Sequence, residues 1–319
     1  MQIFRSLTEF PADYGPTVVS VGNFDGVHLG HRFLLARVVE RAHELNARSV
    51  AVTFEPHPTA LLRPDAAPRL ITPSLEDRLR LLGTTGIDAT LVVPFTPEFS
   101  EKSAEDFAVE ILTHRLGAIE VHEGSNFRFG YRARGDVNEL RRLGDEYSFG
   151  LHVYEPLRVR GMDISSSLIR KLVAAGDLRR ARWLLGRPFS ILSSPASGRG
   201  IGSRLTVPTI NLAAYDGLVP AAGVYVTRMQ VGPGTGNEVC FDAVTNVGTR
   251  PTFADASFAI ETHLLDFRPI PLGPSTPLRL IFLARLRDER QWPTAEALRE
   301  QIGRDVQAAQ RYFRPLPRP

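Results

Sequence analysis

From residue 17 to about residue 185, short valine-rich apolar runs alternate with longer segments whose apolar residues recur at helical spacing. This alternation constrains the fold more than any other feature. The runs are "TVVSVG", "ARSVAVTF", "DATLVVPF", "AIEVHEG" and "LHVYEP". The helical segments are "HRFLLARVVERAHEL", "SLEDRLRLLG", "SAEDFAVEILTHRLG" and "DVNELRRLGDEY". Strand and helix in alternation predict right-handed crossovers and an α/β doubly wound parallel sheet, closed by "DISSSLIRKLVAAGDLRRARWLLG" as one or two helices.

After Gly186 the texture changes. "RPFSILSSPASGRGIGSRLTVPTINL" is rich in glycine, proline and serine, and the strand candidates "GVYVTRMQV", "NEVCFDAVTNV", "FAIETHLLDF" and "LRLIFLARLRD" follow. The turn "GPGTG" joins the first two as a hairpin. Short antiparallel strands joined by turns predict a small barrel or sandwich. A C-terminal helix, "TAEALREQIGRDVQAAQRYF", covers it. With 319 residues, two domains are expected, over 1–185 and 186–319.

Composition excludes several classes. Apolar residues make up 43% and charged residues 23%, the balance of a folded globular chain. The 38 basic and 35 acidic residues nearly cancel and no dense basic tract occurs, so nucleic acid is not an expected partner. No run of 18 apolar residues and no secretory pattern is found, so no membrane association and a cytoplasmic location are expected. The single cysteine, Cys240, reads as a small buried strand residue and rules out an intramolecular disulfide.

The stretch "SVGNFDGVHLGH", residues 20–31, lies between the first strand and the first helix. It would form a strand-to-helix turn at the carboxyl edge of the sheet, where doubly wound folds bind ligands. Gly22 and Gly26 let the backbone approach a phosphate, and the helix start supplies N–H donors and a positive dipole end. Gly30 leaves room for a substrate group. His28 and His31, three apart, share one helix face and can both donate to charge developing on one phosphate, which suits nucleotidyl transfer. A zinc site needs a third ligand, and the other histidines (43, 57, 114, 122, 152 and 263) contain no second clustered pair, so zinc is not expected. "GSNFRFG", residues 124–130, and "ISSSLIR", residues 164–170, should return to the same edge. Hydroxyls and an arginine at a helix start are suited to a triphosphate.

In the second half, "SGRGIGSRLTVPTIN" combines a glycine loop with Thr209 and Asn211, oxygen donors two residues apart that are suited to Mg²⁺. Glu261, in an otherwise apolar strand, is either an outward-facing residue or a base. No G-x-x-x-x-G-K-[ST] occurs, so any kinase here is not of the P-loop type.

The ordered set "VGNFDGVHLGH", "TFEPHP", "LVVPF", "GSNFRFG", "ISSSLIR", "LLGRPFS", "GRG", "PTIN", "GVY", "NVGTRPTF", "ETHLLDF" and "LRDE" resembles the bifunctional bacterial riboflavin kinase/FAD synthetases over essentially the whole length. The resemblance implies an N-terminal HxGH adenylyltransferase moving AMP from ATP to FMN. It also implies a C-terminal barrel making FMN from riboflavin and ATP with Mg²⁺. The substrates and products are then ATP, riboflavin, FMN and FAD. The partners are these small molecules alone, and no particular oligomeric state is indicated.

By matched position, the resemblance implies that His28 and His31 stabilise the α-phosphate. Gly22, Asn23, Phe24, Asp25, Gly26 and Asn126 line the ATP site, and Ser165, Ser166, Ser167 and Arg170 grip the phosphates. Phe54, Pro56, His57 and Pro58 lie near the flavin. In the barrel, Gly198, Arg199 and Gly200 contact nucleotide and Thr209 and Asn211 hold Mg²⁺. Glu261 accepts the ribityl proton, and Arg287 contacts flavin. Where the family reads L-G-F-P-T-A-N, this chain has "LTVPTIN", with Thr206 for glycine and Val207 for an aromatic. That departure motivates an alternative, an adenylyltransferase whose barrel only binds flavin. A third reading, a flavin-responsive regulatory protein, is opposed by the intact H-x-G-H, Thr209, Asn211 and Glu261.

Overall fold

The computed structural model describes residues 1–196, 208–249 and 258–314. They form two compact units, Met1–Ser166 and Ser167–Pro319.

In the first unit, β1 (Gln2–Phe4) and β2 (Thr17–Val21) lead into α1 (Leu29–Glu44) and β3 (Arg48–Glu55). Helices α2 (Pro58–Leu62) and α3 (Leu75–Gly83) precede β4 (Ala89–Pro94). The short α4 (Pro97–Ser100) and α5 (Ala104–Asp106) run into a π-helical stretch, Phe107–Arg115, before β5 (Ala118–Gly124). Helix α6 (Val137–Tyr147), β6 (Gly150–Tyr154) and a ribbon of β7 (Arg158–Val159) and β8 (Met162–Asp163) complete it.

Six strands form a parallel sheet in the order β1-β4-β3-β2-β5-β6. Alternate residues of each strand serve opposite layers. Val18, Ala51 and Val92 pack with Leu35 and Val38 of α1 and Leu79 and Leu82 of α3. Val19, Val50, Leu91 and Val121 pack with Phe107, Ile111 and Leu140 on the other side. Burial on both faces explains why these strands read as continuous apolar runs. The expected doubly wound sheet is present, with β1 as an added edge strand. The strand order reverses between β2 and β5, so the crevice beyond their carboxyl ends is the topological switch point.

Helix α7 (Ser166–Ala174) begins at the end of the first unit, and α8 (Leu178–Leu185) packs on the second. The second unit continues with β9 (Ser190–Ser193), β10 (Thr209–Asn211), β11 (Gly223–Val231), β12 (Val239–Thr249), β13 (Phe258–Leu264) and β14 (Leu278–Asp288), followed by α9 (Ala295–Phe313). These strands make a six-stranded antiparallel sheet in the order β10-β13-β12-β11-β14-β9. Register shifts between β11 and β14 bend the sheet, and a bridge between Pro195 and Leu212 joins its two edges. The result is the expected antiparallel barrel.

Inside it, three fully buried threonines satisfy one another. Thr227 Oγ1 lies 2.7 Å from Thr245 Oγ1, which lies 3.0 Å from Thr262 Oγ1. Outside, Val224, Val226 and Val244 pack against Val306, Ala309 and Phe313 of α9. Cys240, expected to be buried, is exposed: it precedes the buried Phe241, and strand alternation turns it outward. No helix among the described residues is long and apolar enough to cross a membrane.

Candidate active sites

The loop after β2 carries the H-x-G-H sequence and the loop after β5 carries "GSNFRFG", so the switch point brings together two segments about a hundred residues apart in sequence. His28 is the N-cap of α1, and its Nδ1 accepts the backbone N–H of His31 at 3.3 Å. In the neutral ring the proton is then on Nε2, which becomes a donor. The His28 and His31 rings stack with centroids 3.6 Å apart, as adjacent residues of one helix face should. The buried Phe24 ring meets His31 edge-on at 5.3 Å.

Two glycines sit in tight contact. Gly26 has φ +86°, a conformation that strains a side-chain-bearing residue, and a Cβ there would come within 3.0 Å of the Ile71 side chain. A Cβ on Gly30 would sit 3.2 Å from Cε1 and Nδ1 of His28. The sequence alone suggests that Gly30 makes room for substrate, whereas in the structure the His28 imidazole occupies that space. Gly30→Ala is therefore expected to displace the imidazole and slow a reaction served by His28 roughly 10–100-fold, since small misplacements of a catalytic group cost that much. A kinetic comparison of parent and variant would check this.

The other residues implied for the nucleotide differ in their surroundings. Asp25 is 2% exposed and its Oδ1 accepts the Thr72 N–H at 3.0 Å, tying the turn to the segment before α3. Ser166 Oγ donates to the Asp25 carbonyl at 2.9 Å, so this serine reaches the glycine turn. Ser167 Oγ accepts from Arg170 Nη2 at 3.2 Å. Ser165 is half-buried. Asn126 is exposed on the loop after β5, its Oδ1 folded back over Gly124.

"FEPHP" closes β3 and opens α2. Phe54 joins an aromatic group with Phe95 and Phe99, Pro56 is exposed, and His57 caps α2, with Pro58 as its first residue. Sequence reading missed Arg78, whose side chain is 1% exposed. It donates from Nη2 to Glu55 Oε2 at 2.6 Å and to the Phe54 carbonyl at 3.0 Å, and from Nη1 to the Asn23 carbonyl at 3.4 Å. One guanidinium thus joins the glycine turn to the "FEPHP" segment. Its signal was an arginine on the apolar stripe of α3, beside Leu75, Leu79 and Leu82.

Glu123 was also missed. It is 2% exposed on β5 and accepts the Val21 N–H at 2.6 Å, and burial raises its pKa well above the usual carboxylate range. A raised folded-state pKa favours the protonated form, so stability falls as pH rises from the unfolded carboxylate range toward the folded value. Glutamine keeps an acceptor for Val21 and cannot ionise. Glu123→Gln should therefore melt higher than the parent at pH 8, and the gap should close near pH 4. Equal melting temperatures at both pH values would contradict this.

In the second unit, strand register assembles a single row. Asn211 pairs with Glu261, Glu261 with Asn246, Asn246 with Val224, and Val224 with Arg287. Directly paired residues project to the same face, so Asn211, Glu261 and Arg287 share one side of the sheet. Thr209, two residues before Asn211 and paired with His263, shares it too. Glu261 is exposed. Arg287 is half-buried: its Nη2 donates to Asp305 Oδ2 of α9 at 2.8 Å, and it lies 5.6 Å from the Trp292 ring. Gly198, Arg199, Gly200, Thr206 and Val207 lie outside the described residues.

A switch-point H-x-G-H turn on a parallel sheet, followed by an antiparallel barrel with a carboxylate and oxygen donors in one row, defines a two-domain nucleotide-dependent transferase. The FAD synthetase family matches residues 11–168, and the riboflavin kinase family matches residues 185–313. The chain is 34% identical over 312 residues to the bifunctional riboflavin kinase/FMN adenylyltransferase of Pseudomonas fluorescens, covering 97% of each chain. Against the protein of that name from Escherichia coli K12 it is 33% identical over 296 residues, covering 93% of this chain and 92% of that one. This chain belongs to the bifunctional riboflavin kinase/FMN adenylyltransferase family. A crystal structure titled as a macrolide-efflux protein from Streptococcus pneumoniae shares the fold, with a TM-score of 0.81 over 97% of this chain and 98% of that one at 23% identity.

Proposed function

We propose that this enzyme phosphorylates riboflavin with ATP to give FMN, then transfers AMP from a second ATP to FMN, giving FAD and pyrophosphate. The observation that carries the second step is the stacked His28–His31 pair at the helix start, set at the switch point with Ser166 bonded to the same turn. Adenylyl transfer belongs to residues 1–185 and the kinase to 186–319.

In adenylyl transfer, a phosphate oxygen of FMN attacks the α-phosphorus of ATP and the bond to the β-phosphate oxygen breaks. His28 and His31 donate to the α-phosphate oxygens as their charge grows, and the N–H groups of the turn and the α1 dipole add to this. Gly22, Asn23, Phe24, Asp25, Gly26 and Asn126 shape the nucleotide site. Ser165, Ser166, Ser167 and Arg170 hold the phosphates, and Phe54, Pro56, His57 and Pro58 flank the flavin.

In the kinase, Glu261 takes the proton of the terminal ribityl hydroxyl while that oxygen attacks the γ-phosphorus and ADP leaves. Thr209 and Asn211, hard oxygen donors on the same face as Glu261, fit Mg²⁺. When bound, Mg²⁺ neutralises charge on the phosphates. Arg287, fixed by Asp305, orients the flavin, and Gly198, Arg199 and Gly200 contact the nucleotide.

A chromatographic time course with riboflavin and Mg·ATP tests this reading: FMN should appear first and FAD after it. FAD formed only from supplied FMN would leave the adenylyltransferase and overturn the kinase, directing attention to Thr206 and Val207. The chain acts on small molecules in the cytoplasm.

A further inference from the structure

Outside the sites described above, a cluster of metal-ligating side chains lies across β5 and the edge strand β6. Glu120 and His122 are on β5, and His122 is register-paired with His152 on β6. Nε2 of His122 and Nε2 of His152 each lie 3.2 Å from the same oxygen, Glu120 Oε2. One ligand atom from each residue can be chosen so that all three lie within 4.8 Å of one another. A tetrahedral Zn²⁺ with ligand bonds of about 2.0–2.1 Å holds its donors about 3.4 Å apart, so the two carboxylate–imidazole separations are already close to that spacing.

Two further features fit a metal. First, His122 Nδ1 lies 2.9 Å from the Tyr154 hydroxyl, the outer hydrogen bond that orients a ligating imidazole and leaves its Nε2 lone pair for the ion. Second, Arg41 Nε also lies 2.9 Å from Glu120 Oε2, so three nitrogens crowd this one oxygen. Arg41 competes for the carboxylate, yet it can keep Glu120 Oε1, 2.9 Å from its Nη2, and Glu44, 2.7 Å from its Nη1. Oε2 is then left to the ion.

We propose that Glu120, His122 and His152 form a site for one borderline transition-metal dication of the Zn²⁺ class, distinct from the Mg²⁺ of the nucleotide. Nitrogen donors select against Mg²⁺, which prefers oxygen. Water takes the fourth position. The ion clips β6, held in the sheet on one side only, to its neighbour β5. His152, with a side chain 45% exposed, gives the ion its entry.

The test is calorimetric titration of Zn²⁺ into metal-free full-length protein without nucleotide, with Co²⁺ absorption as a second reading of ligand geometry. The expected result is one saturable site per chain, weakened at least about tenfold by His122→Ala and by His152→Ala, and about tenfold by Tyr154→Phe. It should be retained in the His28→Ala/His31→Ala double variant. Because His152 is largely exposed, His152→Ala should fold, and FAD formation from supplied FMN would confirm that it has. Absence of a saturable site would overturn the proposal. So would a site that survives both His122→Ala and His152→Ala, which would place the ion at His28 and His31 or at Cys240.

Discussion

His31→Ala is expected to reduce FAD formation from FMN by about 10²–10³-fold, the usual cost of removing one donor aimed at developing phosphate charge. FMN formation from riboflavin should continue at the parental rate. His31 follows the cap of α1 by three residues, stacks on His28 and meets the buried Phe24 ring, so its imidazole is held in place before any substrate arrives. Loss of the ring removes a donor without removing a core residue, since His31 is only partly buried. The effect should therefore fall on kcat more than on stability. The kinase in the same chain serves as an internal control. If His31→Ala silences both reactions in a folded protein, the two activities do not use separate sites.

The mirror prediction concerns Glu261. Glu261→Ala is expected to lower riboflavin phosphorylation by about 10²–10⁴-fold, the usual contribution of a positioned general base, while FAD formation from supplied FMN is unaffected. Glu261 is exposed and opposite Asn211, in a row whose packing onto α9 is carried by valines and not by the carboxylate. Its loss should cost little stability. Steady-state assays of each half-reaction, with a thermal melt of the variant, decide the matter. A variant that keeps its kinase would reassign Glu261 to the plain outward-facing strand residue that alternation alone suggests.

Much of the fold was legible because it is written in local periodicity. "TVVSVG", "ARSVAVTF", "DATLVVPF", "AIEVHEG" and "LHVYEP" each become a strand of the parallel sheet, and the helical segments between them become helices or helical stretches on its faces. The strands that escaped notice are short: β1 has three residues at the sheet edge, β7 and β8 have two each, and β9 has four within the glycine- and serine-rich stretch. So few residues carry too little alternation to stand out from loop. Of the strand-to-helix turn after β2, the H-x-G-H pair was legible because i and i+3 on one helix must meet. Gly30 was legible as a necessity but not in its reason, because the imidazole that fills the space belongs to a residue two positions earlier in the chain.

The sequence by itself determined the element types, the order of a parallel sheet before an antiparallel one, and the strand-to-helix turn that carries H-x-G-H, because all of these depend on residues close together along the chain. Tertiary structure alone decided which distant residues meet. The buried Arg78 reaches both Asn23 and Phe54, and Asn211, Glu261 and Arg287 fall into one row only through the register of five strands. His122 and His152, thirty residues apart and unremarkable as a pair in the sequence, face the same Glu120 oxygen because β5 and β6 are neighbours in register. Spacing along the chain reports contacts within a helix or a strand. Contacts between strands depend on sheet order and register, which arise only when the whole apolar core closes.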